Sequence, residues 1–336
     1  MLKVAMVGFG GIAQIHRYVY WYVAEKLGKP VELVAAFDVN PAKFTEKTTI
    51  NIPLGEMPED KPIHFYTDLD EMLEKEKPDF VDVCLPTKFH SSVTVDLLKR
   101  GYPVLCEKPM SFGYEECEAM LAAAKENGKK LMIGHCVRFA PEYEYLQELV
   151  ANGTYGKVVS SEFYRYSPPP FWSKNAWQLN VKESGGCLFE LNIHDVDYIR
   201  WLFGDPKEAS CTMESRVFDQ DTLECRLNYG EHTAVVKGGW IKPEDAFSAG
   251  YEVKLEGATV TLKSGEVTLT ENGKQPKKIE IENREYIIGE IAYVVDVLLG
   301  NVENTKNTPE GSAKTIFLLH KLLESAFENK TVTLED

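Results

Sequence analysis

The stretch Val4-Ala5-Met6-Val7-Gly8-Phe9-Gly10-Gly11-Ile12-Ala13 decides the fold. Four apolar residues read as a short buried strand, and the G-x-G-x-x-A pattern that follows turns it into a helix. Gly8 permits the tight turn, Gly10 lets the backbone approach a pyrophosphate, and Ala13 lets helix and strand pack closely. The pattern alone is weak, because many loops contain two glycines. Its place directly after a strand and before a helical pattern gives it meaning, so Gly8, Phe9, Gly10, Gly11, Ile12 and Ala13 are expected to hold a dinucleotide.

Downstream, short apolar runs alternate with helical patterns: Val31 to Phe37, Ile63 to Tyr66, Phe80 to Leu85, Val104 to Cys106 and Leu131 to Ile133. With Leu2 to Val7 they make six strands of repeated βαβ units, hence a doubly wound parallel sheet. Gly28, Gly101 and Gly128 end the intervening helices, where a left-handed residue is needed. Asp38 closes the second strand. A carboxylate there accepts hydrogen bonds from ribose hydroxyls and repels a 2′-phosphate, which favours NAD over NADP; a helix-capping aspartate ahead of Pro41 is the alternative.

After Asn152-Gly153 the rhythm changes to longer alternating strands joined by short turns, from Val158 to Tyr166 through Val267 to Thr270. Such alternation predicts an open, mainly antiparallel sheet with one face covered. Helices over 190–202, 284–299 and 309–329 are expected to pack on it. The chain thus reads as a Rossmann NAD-binding domain over 1–123 and an α/β substrate-binding and oligomerisation domain over 124–336, with the active site in the cleft between them. Its 336 residues exceed what one core usually supports.

A formal charge of −15 repels nucleic-acid phosphates and anionic membrane surfaces, so neither is an expected partner. No run of eighteen apolar residues and no signal-peptide pattern is seen, which predicts a cytoplasmic protein. Seven scattered cysteines without C-x-x-C spacing read as free thiols. Cys187 stands near the chemistry described next, but a single cysteine is ordinarily a small buried apolar group.

In open α/β sheets ligands bind beyond the carboxyl ends of the strands. Thr87 follows the fourth run and Glu107-Lys108-Pro109 the fifth, so with Gly8 and Asp38 four strand ends carry polar or special residues. A second constellation is Ser184-Gly185-Gly186-Cys187-Leu188-Phe189-Glu190-Leu191-Asn192-Ile193-His194-Asp195. Glu190 and His194 stand at i and i+4, which shares a face in a helix and lets a carboxylate orient an imidazole. An ordinary amphipathic helix start explains the same spacing. A metal site on Glu190, His194, Asp195 and Asp197 is a further reading, not adopted because no other ligand motif accompanies it. Trp172 and Trp177 lie just beyond Pro168-Pro169-Pro170 and suit stacking on a sugar ring, or simple packing.

Taken together, these motifs resemble the glucose-fructose oxidoreductase and inositol dehydrogenase (Gfo/Idh/MocA) family nearly end to end. The likeness rests on the early glycine motif, Pro86-Thr87-Lys88-Phe89-His90, Val104-Leu105-Cys106-Glu107-Lys108-Pro109, Gly134 with Arg138-Phe139, and the Gly185-Gly186 to His194-Asp195 block. It implies that Lys108 contacts the reacting hydroxyl and the nicotinamide region, and that His194 is the acid/base. It also implies that Thr87, His90 and Glu107 line the cofactor, and that Arg165 and Tyr286 face the substrate. Glu190 and Lys88 depart from the family's usual aspartate and asparagine. The expected activity is NAD-dependent hydride transfer to or from a sugar, inositol or related polyhydroxyl compound by a homodimer or homotetramer. A redox-neutral enzyme that restores its NAD, for example a glycoside-cleaving or epimerising one, and a non-catalytic NAD-binding sensor are the alternatives.

Overall fold

The computed structural model describes residues 1–46, 62–171, 178–216, 221–241 and 246–334. They cluster into two compact units, one formed by 1–136 with 285–313 and the other by 137–284 with 314–336.

In the first unit β1 (Leu2–Val7), β2 (Val31–Phe37), β3 (His64–Tyr66), β4 (Phe80–Val83), β5 (Val104–Glu107) and β6 (Leu131–Gly134) form a sheet in the order β3-β2-β1-β4-β5-β6. Each neighbouring pair is parallel. The order reverses at β1, so the crevice at that switch point lies beside the glycine turn. The helices α1 (Gly11–Glu25), α2 (Leu69–Glu76), α3 (His90–Lys99) and α4 (Tyr114–Glu126) connect the strands. All six predicted strands are present. Residues 124–136, read from sequence as the start of the second domain, complete α4 and supply β6.

The second unit holds α5 (Pro141–Asn152), β7 (Val158–Ser167), the single-turn α6 (Val181–Ser184), α7 (Ile193–Phe203), β8 (Glu208–Glu214), β9 (Thr222–Asn228), β10 (Thr233–Trp240), β11 (Ser248–Leu255), β12 (Ala258–Lys263), β13 (Glu266–Glu271) and β14 (Lys277–Ile279). With β15 (Val332–Thr333) the strands order as β14-β13-β12-β11-β7-β10-β9-β8-β15. Among the described residues of this sheet only β7 and β10 pair in parallel. The sheet is therefore mixed but mostly antiparallel, and open at both edges. Alternation decides its faces: Phe163, Val236, Leu227, Val253 and Val260 are buried, while Glu162, Arg226 and Lys254 are exposed.

Two helices depart from the reading of the sequence. Helix α5 was not anticipated, although Pro141 at its first position and Gly153 in the left-handed conformation just past its end mark both boundaries. Helix α8 (Tyr286–Leu299) was expected on the second sheet. It packs instead in the first unit's core, where Ile287, Ile291, Val294 and Val295 join Val4, Met6, Val19 and Tyr20. An apolar helix face carries no address, and either sheet would bury it at about 1.5–3 kcal/mol per large side chain. Helix α9 (Pro309–Glu328) buries Ile316, Leu319 and Leu322, spaced as one helical face.

Candidate active site

Gly8 has φ +88°, and a side chain there would meet the Cys84 carbonyl oxygen at 2.7 Å and Leu85 at 2.9 Å. The turn thus lies tight against the end of β4 and needs glycine. Gly10 is different, since a Cβ built on it has no neighbour within 4 Å. It occupies the N-cap of α1, where it has no side chain to cap the helix, and no acidic residue stands in the first turn. Such an end suits an anion. Ala13 is fully buried, as close helix–strand packing requires.

Asp38 is placed by the end of β2. Its Oδ2 accepts the Phe9 N–H at 2.9 Å and its Oδ1 accepts the Asn40 N–H at 2.8 Å, so one carboxylate fixes the glycine turn from the neighbouring strand end. The capping role belongs instead to Asn40, whose side chain accepts the Ala42 N–H. Phe9 offers its backbone to the turn, while its ring packs against Phe65 and Phe44 at 5.2 and 6.0 Å. Ile12 likewise packs on the core.

Among the residues implied to line a cofactor, His90 is taken by the fold. Its Nδ1 lies 2.7 Å from the Pro109 carbonyl and its Nε2 2.7 Å from the Leu85 carbonyl, so it ties the turn after β4 to the turn after β5. Burial lowers its pKa against the pull of both carbonyls. Thr87 is also buried, and Lys88 lies over the Phe89 ring. Lys108 is half-buried at the end of β5 and joined to Pro109 by a cis peptide bond. Burial would raise the pKa of Glu107, but His16 holds it below the usual carboxylate range.

Glu290, in α8, was not singled out from the sequence. It is fully buried, and burial together with the Glu107 charge raises its pKa to about 8. A raised carboxyl favours the folded state below its ordinary value near 4.5, and that contribution disappears as pH climbs through about 8. Glu290→Gln is therefore expected to flatten the loss of stability between those values, as read from chemical denaturation at a series of pH values.

The second constellation is built by glycines. Gly185 and Gly186 both have positive φ, and a Cβ on Gly185 would lie 2.6 Å from the Phe189 ring. Ser184 Oγ accepts the Gly186 N–H and donates to the Gln178 carbonyl, closing the turn. Where a continuous α-helix was expected from residue 190, Leu188–Asn192 form a π-helical turn that α7 continues. The extra residue is accommodated where Asn192 presses on β10: a Cβ at Gly238 would lie 2.0 Å from Asn192 Nδ2. Gly238→Ala is expected to cost about 1–3 kcal/mol of stability, visible as a lower thermal midpoint. Along 186–200 every residue is buried except Glu190 and His194, which are half-buried.

Arg165, placed at the substrate by the resemblance, is joined to an aspartate in this structure. Its Nε and Nη2 bind Asp195 at 2.8 and 3.1 Å in a buried pair. Arg138 does the same with Asp197 at 2.7 and 2.6 Å. Both aspartates of the metal reading are thereby engaged by arginine. Cys187 is buried and its thiol pKa is raised by burial, which suits packing. Tyr286 packs against the first unit's core. Trp172 and Trp177 lie outside the described residues.

Comparison with known proteins bears on both units. Residues 2–135 match a family model described as an oxidoreductase family with an NAD-binding Rossmann fold, and residues 143–281 match the GFO/IDH/MocA C-terminal domain. The chain is 30% identical over 151 residues to 2,7-anhydro-N-acetylneuraminate hydratase of Mediterraneibacter gnavus, a match covering 44% of this chain and 39% of the relative. It is 28% identical over 226 residues to myo-inositol 2-dehydrogenase of Thermotoga maritima, covering 66% and 60% respectively. These matches therefore span less than two thirds of either relative's length. A crystal structure of an oxidoreductase from Agrobacterium radiobacter in complex with NAD+, L-tartaric acid and magnesium superposes with a TM-score of 0.78 at 16% identity, covering 99% of this chain and 98% of that one.

Proposed function

The chain belongs to the GFO/IDH/MocA oxidoreductase family, and from that premise we propose that it is an NAD-dependent dehydrogenase acting on a hydroxyl carbon of a sugar, inositol or related polyol. The observation that carries the reading is the exposure pattern along 186–200, where Glu190 and His194 keep an accessible surface while every neighbour is buried. A turn serving packing alone gives no reason for a glutamate and a histidine to be its two half-buried positions.

Bound NAD supplies the hydride acceptor. The glycine turn at Gly10 and the start of α1, with no acidic residue in its first turn, fit its pyrophosphate, and Asp38 its adenosine ribose. In the proposed reaction the Lys108 ammonium faces the substrate hydroxyl and stabilises the developing alkoxide. His194 takes the hydroxyl proton, with Glu190 orienting its ring. Reversal of these proton movements serves reduction.

The preference for NAD is assigned to the charge on Asp38. Asp38→Asn keeps an acceptor for the Phe9 N–H and removes the charge. The ratio of kcat/KM for NAD to that for NADP is expected to fall by about 10- to 100-fold, the scale of one charged hydrogen bond. The reading as a whole is tested by following NADH formation by the purified protein over a panel of monosaccharides, inositols and sugar acids. Turnover with at least one compound is expected; silence from the whole panel by a protein that binds NAD counts against it.

The similarity to a hydratase favours a second reading, in which the same groups serve a redox-neutral reaction and NAD is restored within each cycle. It predicts cofactor retained through purification and product formed without NADH accumulating. Homodimer or homotetramer assembly and a cytoplasmic location remain parts of the proposal that sedimentation and cell fractionation test.

A further inference from the structure

A buried line of polar groups runs beneath the turn that carries Lys108. Within β4, fully buried Asp82 places Oδ2 2.8 Å from His16 Nδ1 and accepts the Tyr20 hydroxyl at 3.0 Å. His16, fully buried in α1, places Nε2 3.1 Å from Glu107 Oε1. The other Glu107 oxygen accepts the backbone N–H of Lys108 at 3.1 Å. Opposite, a Cβ on Gly134 would sit 3.1 Å from Glu107 Oε1, so the lack of a side chain there leaves the carboxylate its place.

Burying ionisable groups costs several kcal/mol each unless they are paired, and a fold that only needed packing would be served as well by apolar residues. What this line accomplishes is specific: it sets the His16 ring within ion-pair reach of the carboxylate that accepts the Lys108 main-chain N–H. Three elements, α1, β4 and the end of β5, thus lead to the peptide group that precedes the Lys108 side chain.

We propose that Asp82, His16 and Glu107 form a relay of positioning residues that holds Lys108 for its work on the substrate hydroxyl. This rests on the role given to Lys108 in the proposed function. The electrostatics agree in direction: burial opposes the charge on His16, yet Asp82 and Cys84 push it above its ordinary value. Glu290, also facing this group, is kept neutral at moderate pH and adds no further charge.

The test compares the intact protein with His16→Leu, His16→Gln, Gly134→Ala, Lys108→Ala and the His16→Leu/Lys108→Ala pair. Thermal unfolding and NAD titration accompany each. His16→Leu is expected to lower kcat by about 10²-fold with little change in KM, the scale of a small misplacement of a reacting group. His16→Gln, which restores a donor toward Glu107, recovers part of the loss. Because His16 acts through Lys108, adding His16→Leu to Lys108→Ala costs little more. Gly134→Ala, which crowds the same carboxylate from the other side, is expected to reproduce the effect if His16→Leu does not fold.

A second readout stands apart from activity. The rate at which an amine reagent modifies Lys108, followed by mass spectrometry against exposed Lys125, is expected to change in folded His16→Leu or Gly134→Ala. An unchanged rate at Lys108, or a full additive loss in the double variant, overturns the relay. Absence of turnover in the wild-type protein overturns the dehydrogenase reading instead, and leaves the labelling result to decide the relay.

Discussion

Lys108→Ala is expected to lower kcat/KM for the proposed polyol substrate by about 10²–10³-fold, the usual effect of removing one group that stabilises developing oxyanion charge. The loss should fall on kcat more than on KM, because the alkoxide charge is greatest in the transition state. NAD binding should change far less. Lys108 is half-buried beside the half-buried Glu107 carboxylate that accepts its main-chain N–H, so its backbone is fixed whatever side chain follows. Truncation should therefore leave the fold intact, and equal thermal midpoints for variant and wild type would separate lost chemistry from lost structure.

His194→Ala is expected to cost about 10²–10⁴-fold in kcat, the range of general acid–base catalysis. Its effect should depend on pH. Without an imidazole the base becomes water or hydroxide, so residual activity should rise steadily with pH where the wild type levels off. Glu190→Gln probes the same unit more gently. It keeps a side chain of equal length on the π-helical turn and removes the charge that favours an imidazolium, so a smaller loss than that of His194→Ala is expected. A Glu190→Gln profile identical to wild type would remove Glu190 from the proposed mechanism.

Much of this was legible in the sequence, for identifiable reasons. The parallel strands showed themselves because most are short, largely apolar runs bounded by glycine or proline, and β4 and β6 are buried along their whole length. The strands of the second sheet were legible through alternation, a period that only a half-buried strand imposes. Helix α8 was legible as a helix but not as a member of the first unit, because its docking partner lies far away in sequence and its apolar face fits many surfaces. The short β14 and β15 carry too few residues to show a period.

At the site, residue type and position at strand ends were enough to nominate Gly8, Gly10, Asp38 and Lys108. Partners were not. Nothing in the spacing of Arg165 and Asp195, or of Arg138 and Asp197, announces that each pair is joined, since buried ion pairs form between residues brought close only by the finished fold. The same holds for His16, which reads as one more residue of an amphipathic helix until β4 and β5 bring Asp82 and Glu107 to its two nitrogens. For His90, which the resemblance places along the cofactor, nothing in the spacing announces that its two ring nitrogens come to lie beside the Pro109 and Leu85 carbonyls.

The central claim is that a hydride passes between a carbinol carbon and the nicotinamide. Its most direct test is to incubate the protein and NAD with the active polyol deuterated at the candidate carbon, quench within one turnover, and analyse the cofactor by mass spectrometry. The account predicts deuterium on the nicotinamide ring in an amount matching the enzyme present, and none when Lys108→Ala is substituted. Deuterium that stays on the sugar or exchanges into water while product forms would contradict it.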